Sequence, residues 1–179
     1  MGLATFIGGI HPYEGKELSE DKPIKYLEPL QGEVMVYPLS QHIGAPAKPL
    51  VAKGDHVLKG QIIAEAGGFI SANVLSSVSG TVKGIESKLV ANGAMVQSIL
   101  VENDGEEEAI EGFGTDRDAT KLSKEEIRQI VKDAGIVGLG GAGFPTHVKL
   151  TPKDENAIDY VIVNGAECEP YLTSDYRTM

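Results

Sequence analysis

The densest run of glycine in the chain lies between residues 135 and 143, where five of nine residues are glycine. Ordering so many glycines costs conformational entropy, but their amides, with no Cβ in the way, can approach a flat or anionic ligand closely. Gly138, Gly140 and Gly143 match the spacing G-x-G-x-x-G. The segment predicts a ligand-binding loop, and the alternative from the residues alone is a mobile surface loop.

Two common nucleotide motifs do not fit this loop. The dinucleotide fingerprint requires a strand directly before it, whereas a helical pattern precedes this one, and the Gly-Lys-Ser/Thr end of a P-loop is absent. Pro145 suits the first turn of a following helix, whose N-terminus would favour a phosphate. Lys149 lies one turn further on and could add a positive charge.

A second group of polar residues follows an apolar stretch near residue 160. Residues 159–163 predict a strand buried on both faces, and Asn164, Glu167 and Glu169 come directly after it. Open α/β sheets bind ligands at the carboxyl ends of their strands, so these three residues are site candidates. The alternative is an Asn-Gly hairpin turn, which is weakened because no second apolar strand follows.

Neither cysteine nor histidine predicts a metal or nucleophile site. Cys168 is the single cysteine, which excludes an internal disulfide, an iron–sulfur cluster and a cysteine zinc site in this chain. No histidine can be placed beside it, so we expect a packed or partly exposed thiol. The histidines show no metal-ligand spacing: they are His11, His42, His56 and His147. We predict no catalytic residue and no metal ligand.

The net charge of −10 argues against broad nucleic-acid binding, which needs a basic surface. No apolar run approaches the roughly 20 residues of a membrane span, and the short, uncharged N-terminus is not a secretory signal. Residues 102–118 carry eight acids and one base. With their glycines they indicate a solvated linker, although an acidic patch for a cationic partner stays open.

A helix is predicted directly before the glycine loop. Ser123 and Glu126 form a capping box, in which each side chain can satisfy an amide at the helix start. An apolar stripe with helical spacing follows: Ile127, Ile130, Val131 and Ala134. Gly135 is placed to end the helix in a left-handed conformation.

Residues 36–101 predict a small all-β domain of short strands separated by glycine turns. We expect strands in these segments: 34–37, 49–51, 56–58, 62–64, 69–72, 80–82 and 95–101. The order of glycines and apolar residues from Val51 to Val82 resembles the barrel-sandwich hybrid of biotinyl and lipoyl carriers. Those carriers modify a lysine at a hairpin tip, and residues 65–69 contain none. We therefore keep the fold and reject the carrier function.

Three segments closely resemble the RnfC subunit of the Rnf electron-transport complex: residues 8–12, 135–150 and 163–177. That family is more distantly similar to the flavin-bearing, NADH-binding subunit of respiratory complex I. The chain departs from the complex I pattern at two positions, because Leu139 replaces an arginine and Ala166 replaces an aspartate.

The resemblance implies which residues bind cofactors. FMN would be wrapped by the glycine loop, with Lys149 near its phosphate or ribityl chain and Asn164 and Glu167 facing the flavin. Phe144 and Glu169 would lie where the nicotinamide nucleotide of NADH docks. The implied cofactor-binding set is Gly138, Gly140, Gly141, Gly143, Phe144, Lys149, Asn164, Glu167 and Glu169.

The resemblance also implies an α+β chain that is an N-terminal fragment. Its divisions would be an N-terminal extension (1–35), the barrel-sandwich hybrid (36–101), the acidic linker (102–118) and the start of an α/β domain for FMN and NADH (119–179). The parent protein would relay electrons between NADH and ferredoxin through flavin and two 4Fe–4S clusters, which would lie in the missing C-terminal part. It would sit peripherally on the cytoplasmic side of the bacterial membrane, with other subunits of an ion-translocating complex as partners. The alternative is a docking fragment that binds no cofactor by itself.

Overall fold

The computed structural model describes residues 9, 10, 12–139 and 141–179. They form two compact units, and the larger unit comprises residues 28–155. The smaller unit combines residues 156–179 with the described residues up to 27. Residues 119–155, predicted to begin an α/β domain, thus group with the β-strands in the larger unit.

Seven strands build the larger unit: β1 (Val34–Pro38), β2 (Lys48–Pro49), β3 (His56–Val57), β4 (Ile62–Glu65), β5 (Val74–Leu75), β6 (Gly80–Leu89) and β7 (Met95–Asn103). They form a four-stranded sheet in the order β1-β7-β6-β3 and a three-stranded sheet in the order β2-β4-β5. All pairings are antiparallel. The β6–β7 hairpin dominates, with a bulge between Val82 and Gly84.

The inward side chains of both sheets meet in one core. It consists of Tyr37, Leu39, Ala47, Val57, Ile63, Ala64, Val74, Val78, Val82, Ile99 and Val101. Alternation along each strand buries these side chains and leaves the intervening positions outside. The predicted small β-domain is therefore present, and its last two strands are longer than the sequence indicated.

The strand predicted over residues 69–72 is wrong. The chain forms a loop there, and β5 begins at Val74. Side chains take the hydrogen bonds that a strand partner would take: Ser71 Oγ donates to the carbonyl of Ala45 (2.7 Å) and accepts from the amide of Gly67 (2.9 Å). Such side-chain bonds offer the backbone an alternative to a ladder.

The acidic segment is exposed but attached to the barrel. Residues 102 and 103 belong to β7. Further along, the amide of Lys59 donates to the carbonyl of Glu108 (2.8 Å), and the amide of Ile110 donates back to the carbonyl of Lys59 (3.1 Å). The segment between the barrel and the helices is thus fixed along part of its length.

Two helices complete the larger unit: α1 (Lys124–Asp133) and the four-residue α2 (Thr146–Lys149). The capping box of Ser123 and Glu126 is confirmed, since each side chain bonds the other residue's amide. Gly135 follows α1 with φ +61°, as predicted for the residue that ends the helix.

The buried strand predicted over residues 159–163 is wrong. These residues form no strand, and Tyr160, Val161 and Ile162 are each at least 86% exposed. A strand buried on both faces needs neighbouring strands for its amides and carbonyls and helices for its faces. None of the described residues supplies them. The smaller unit instead contains a short helix, α3 (Ser174–Thr178).

Candidate functional site

The glycine loop is the tip of a short hairpin between α1 and α2. Val137 and Pro145 form an antiparallel bridge. The amide of Gly138 donates to the carbonyl of Phe144 (3.0 Å), and the amide of Thr146 donates to the carbonyl of Ile136 (2.9 Å). These bonds close the loop at its base, so it is not a free surface loop. Gly140 lies outside the described residues.

Gly143 holds this loop against the barrel. Its φ is +67°, a conformation that L side chains rarely adopt. A Cβ at this position would lie 2.8 Å from the carbonyl oxygen of Gln41, which precedes the buried His42. The amide of Ile43 also donates to the carbonyl of Gly143 (3.4 Å). Glycine is required here by both conformation and space.

Positive charge reaches the loop from Lys149. A Cβ built on Gly138 would lie 2.9 Å from Lys149 Nζ, so the ammonium occupies the space beside that glycine. Pro145 precedes α2 as its N-cap rather than standing in its first turn. With only four residues, α2 has little dipole to offer an anion. The cation of this site is therefore the lysine and not a helix terminus.

A cleft of about 1030 Å³ opens between the glycine loop and the barrel. Its barrel side consists of β1, the following loop to residue 43 and the β6–β7 turn around residues 89–92. Its other side includes Gly138, Leu139, Gly141 and Gly143. The size is at the upper end of ordinary ligand pockets, which span roughly 300–1,000 Å³.

The lining of this cleft is uncharged among the described residues, with no Asp, Glu, Lys or Arg. Two polar side chains in it are held firmly. The hydroxyl of Tyr37 accepts from the amide of Ser77 (3.0 Å), and His42 Nε2 accepts from the amide of Ala72 (3.1 Å). No motif in the sequence marks this wall, because its residues lie about a hundred positions before the glycine loop.

The β4–β5 hairpin of the barrel, where carriers place their lysine, contacts the helices that flank the glycine loop. Asn73 Nδ2 donates to the carbonyl of Lys132 at the end of α1 (3.3 Å). In α2, burial is the main cause that lowers the pKa of His147; the charge of Lys132 adds to it, and a hydrogen bond to the Phe69 backbone opposes it. These contacts position the helix–loop–helix segment on the barrel.

The remaining predicted residues belong to the smaller unit. Asn164 Oδ1 accepts from the amide of Ala166 (3.0 Å), which closes a local turn without flanking strands. Glu167 Oε1 accepts from the amide of Tyr176 in α3 (3.1 Å). Glu169 and Cys168 are exposed. The structure therefore assembles Gly138, Gly143, Phe144 and Lys149 in the larger unit, with Gly141 at the loop tip and the acids in the other unit.

Two kinds of site are absent from the described ranges (9, 10, 12–139 and 141–179). No group of three metal-binding side chains is arranged to hold an ion there. None of the helices formed by those residues combines the length and the apolarity that a bilayer span requires.

The fold and the loop together define a barrel-sandwich hybrid followed by the beginning of a flavin-binding domain. Residues 4–106 match the family model of the RnfC barrel sandwich hybrid domain. Residues 131–179 match the Nuo51 FMN-binding domain. The chain therefore belongs to the RnfC family, as its motifs indicated, and the predicted α+β class is confirmed.

Named relatives agree with this assignment. The chain is 48% identical to the C-subunit of the proton-translocating ferredoxin:NAD(+) oxidoreductase complex of Clostridium ljungdahlii, over 99% of this chain and 38% of that protein. The sodium-translocating counterpart of Acetobacterium woodii is 45% identical, over 98% and 39%. The C-subunit of the ion-translocating oxidoreductase complex of Rhodobacter capsulatus is 42% identical, over 96% and 33%. The chain thus spans less than two fifths of each of these relatives.

Proposed function

We propose that this chain is the N-terminal part of the RnfC subunit of an ion-translocating ferredoxin:NAD oxidoreductase complex, and that its glycine loop binds FMN. The observation that carries the proposal is the position of Lys149 beside Gly138 at the edge of an uncharged cleft. The family matches and the relatives' names support the wider role.

The residues of the loop fit a flavin nucleotide on their own chemistry. Gly138 leaves the space that a Cβ would fill, and the Lys149 ammonium lies there. An ammonium suits a phosphate monoester, while the uncharged cleft suits the rest of the cofactor. Gly138, Gly140, Gly141, Gly143 and Lys149 would hold FMN, and Phe144 would contact the nicotinamide nucleotide.

When bound, FMN would exchange a hydride with NADH and single electrons with iron–sulfur centres. The chain itself supplies binding and orientation. Lys149 offsets phosphate charge, the bonded base of the hairpin fixes the loop, and the barrel limits the access of water from one side. We propose no residue of this chain as an acid, base or nucleophile.

The rest of the proposal concerns the parent protein. Its two 4Fe–4S clusters would need cysteines other than Cys168, in a C-terminal part such as the relatives' greater length allows. Further strands there would also pair with residues 159–163 and complete the predicted α/β domain, bringing Asn164, Glu167 and Glu169 to the cofactors. Its partners would be the other subunits of the complex, on the cytoplasmic side of the membrane.

One observation favours the alternative, a docking fragment that binds no cofactor by itself. The Glu167 carboxylate bonds the Tyr176 amide and, at 3.4 Å, the Ser174 hydroxyl. In this arrangement Glu167 stabilises the start of α3, so it is engaged by the chain rather than by a flavin.

Titration with FMN and riboflavin tests the proposal. The wild-type chain should bind both, and Lys149→Ala should weaken FMN by about tenfold while leaving riboflavin, which lacks the phosphate, unchanged. Lys153→Ala, at an exposed lysine four residues further on, is the matched control. Binding by a full-length subunit but not by this chain would favour the docking alternative, and binding by neither would disprove the cofactor assignment.

A further inference from the structure

The cleft between the barrel and the glycine loop contains more space and more polar groups than a phosphate contact needs. Its barrel side comes from β1 with the following loop, and from the β6–β7 turn. Both belong to the same compact unit as the glycine loop. The barrel therefore has a face at the loop whose role the proposed function leaves open.

The chemistry of this face selects a class of ligand. A phosphate or carboxylate placed in it would lose water without gaining a cation, since none of the described lining residues is a lysine or arginine. A flat, uncharged ring system would bury apolar surface against Val90 and Leu139 and find hydrogen-bonding groups on Gln41 and Asn92.

The polar groups divide into fixed and available ones. Tyr37 and His42 are buried and already bonded to backbone amides, so they form a rigid floor. Among the residues that the structure describes, the side chains of Ser40 and Gln41 have no hydrogen-bond partner. Asn92 Oδ1 accepts from the amide of Ala94, and no bond of its Nδ2 to a described residue is present. These three side chains are exposed at the cleft and can meet the edge of a ring.

We propose that the barrel supplies the ring-binding wall of the flavin site, so that the isoalloxazine ring lies in this cleft and the phosphate lies outside it, toward Lys149. This inference rests on the proposed function, because it takes FMN as the ligand of the loop. It assigns the barrel, which resembles a carrier without its lysine, a direct part in cofactor binding. Gln41 and Asn92 become the residues that recognise the polar edge of the ring.

The test fills the cleft from the barrel side. Ala91 is exposed in the β6–β7 turn and lines the cleft, so Ala91→Trp adds bulk without disturbing the core. Ala119→Trp is the matched control, because Ala119 is also exposed but does not line the cleft. Ala91→Trp should weaken both FMN and riboflavin by about tenfold or more, and Ala119→Trp should change neither by more than roughly twofold.

A second variant keeps the test valid if the tryptophan disturbs the turn. Gln41→Ala should weaken riboflavin several-fold, compared with Gln129→Ala on the exposed side of α1. The inference is overturned if FMN binds, loses affinity in Lys149→Ala, and yet is unaffected by Ala91→Trp and Gln41→Ala. If the wild-type chain and the full-length subunit both bind no flavin, the proposed function itself fails.

Discussion

Lys149 Nζ occupies the space that a side chain on Gly138 would need, with only 2.9 Å between the ammonium and the position of a Cβ. The two residues are eleven positions apart, and α2 brings them together at the base of the glycine loop. The relationship connects the one cation of the predicted set to the backbone of the loop. It also makes the two positions testable as a pair.

Gly138→Ala should displace the Lys149 ammonium without unfolding the loop. The atom in the way is the end of a flexible side chain, and the φ of Gly138 is not in the left-handed region. Stability should therefore change by less than about 0.5 kcal/mol. FMN affinity should fall several-fold while riboflavin affinity stays constant, as measured by flavin fluorescence. Equal losses for the two flavins would contradict this role of the glycine.

Gly143→Ala should destabilise the larger unit. The substitution combines a left-handed backbone with a Cβ 2.8 Å from the carbonyl oxygen of Gln41, so we expect a loss of about 1–3 kcal/mol in urea unfolding. Gly141→Ala is the control, because no described atom lies within 4 Å of its Cβ position. Similar unfolding midpoints for the two variants would show that the loop does not pack on the barrel at Gly143.

Asp104→Asn should weaken the attachment of the acidic segment. The hydrogen bond from Ser79 Oγ (2.6 Å) is the main cause that lowers the pKa of Asp104, and the Glu106 amide and His56 add to it. The wild-type advantage should be about 1–2 kcal/mol at neutral pH. It is complete above the ordinary carboxyl pKa, about 4, and is lost as the pH falls through the lowered pKa of the folded state.

Chemical unfolding of the Asp104 variant at neutral and acidic pH checks this. Asp116→Asn changes an exposed acid of the same segment and should stay within about 0.5 kcal/mol of wild type. A difference between wild type and Asp104→Asn that persists unchanged at a pH of about 2.5 would rule out the carboxylate as its source.

His147→Gln should flatten the stability profile on the acid side of neutrality. Burial is the main cause that lowers the pKa of His147, so the unfolded chain takes up a proton at about pH 6.5, before the folded chain does. The contribution of the neutral ring is complete above that pH and declines as the pH falls toward the lowered pKa. Urea midpoints at about pH 7.5 and 5.5 measure it; an identical decline in wild type and variant would refute the role of His147.

Local signals in the sequence predicted α1 and the base of the glycine loop well. The capping box of Ser123 and Glu126 needs only four residues, and Gly135 ends the helix by its own conformation. The strands of the barrel were predicted where apolar residues alternate. The loop over residues 69–72 was missed because Ser71 and Asn73 bond the backbone from their side chains, which the apolar pattern does not reveal.

Long-range arrangements could not be predicted from the sequence. The cleft wall at Gln41 and Asn92 depends on how two turns of the barrel meet the glycine loop, and neither turn has a recognisable motif. The strand over residues 159–163 has the composition of a buried strand, but composition supplies no partner for its amides. Whether Asn164 and Glu167 meet the loop therefore stays a prediction.

The hairpin between β4 and β5 is fastened at several points. The amide of Ala66 donates to Asn73 Oδ1 (2.9 Å), and Ser71 Oγ joins Gly67 to Ala45 across the loop. A carrier delivers its cargo because such a tip travels between distant enzymes. This tip is bonded in place and has no lysine, so any molecule exchanged at the neighbouring glycine loop must come and go by its own diffusion.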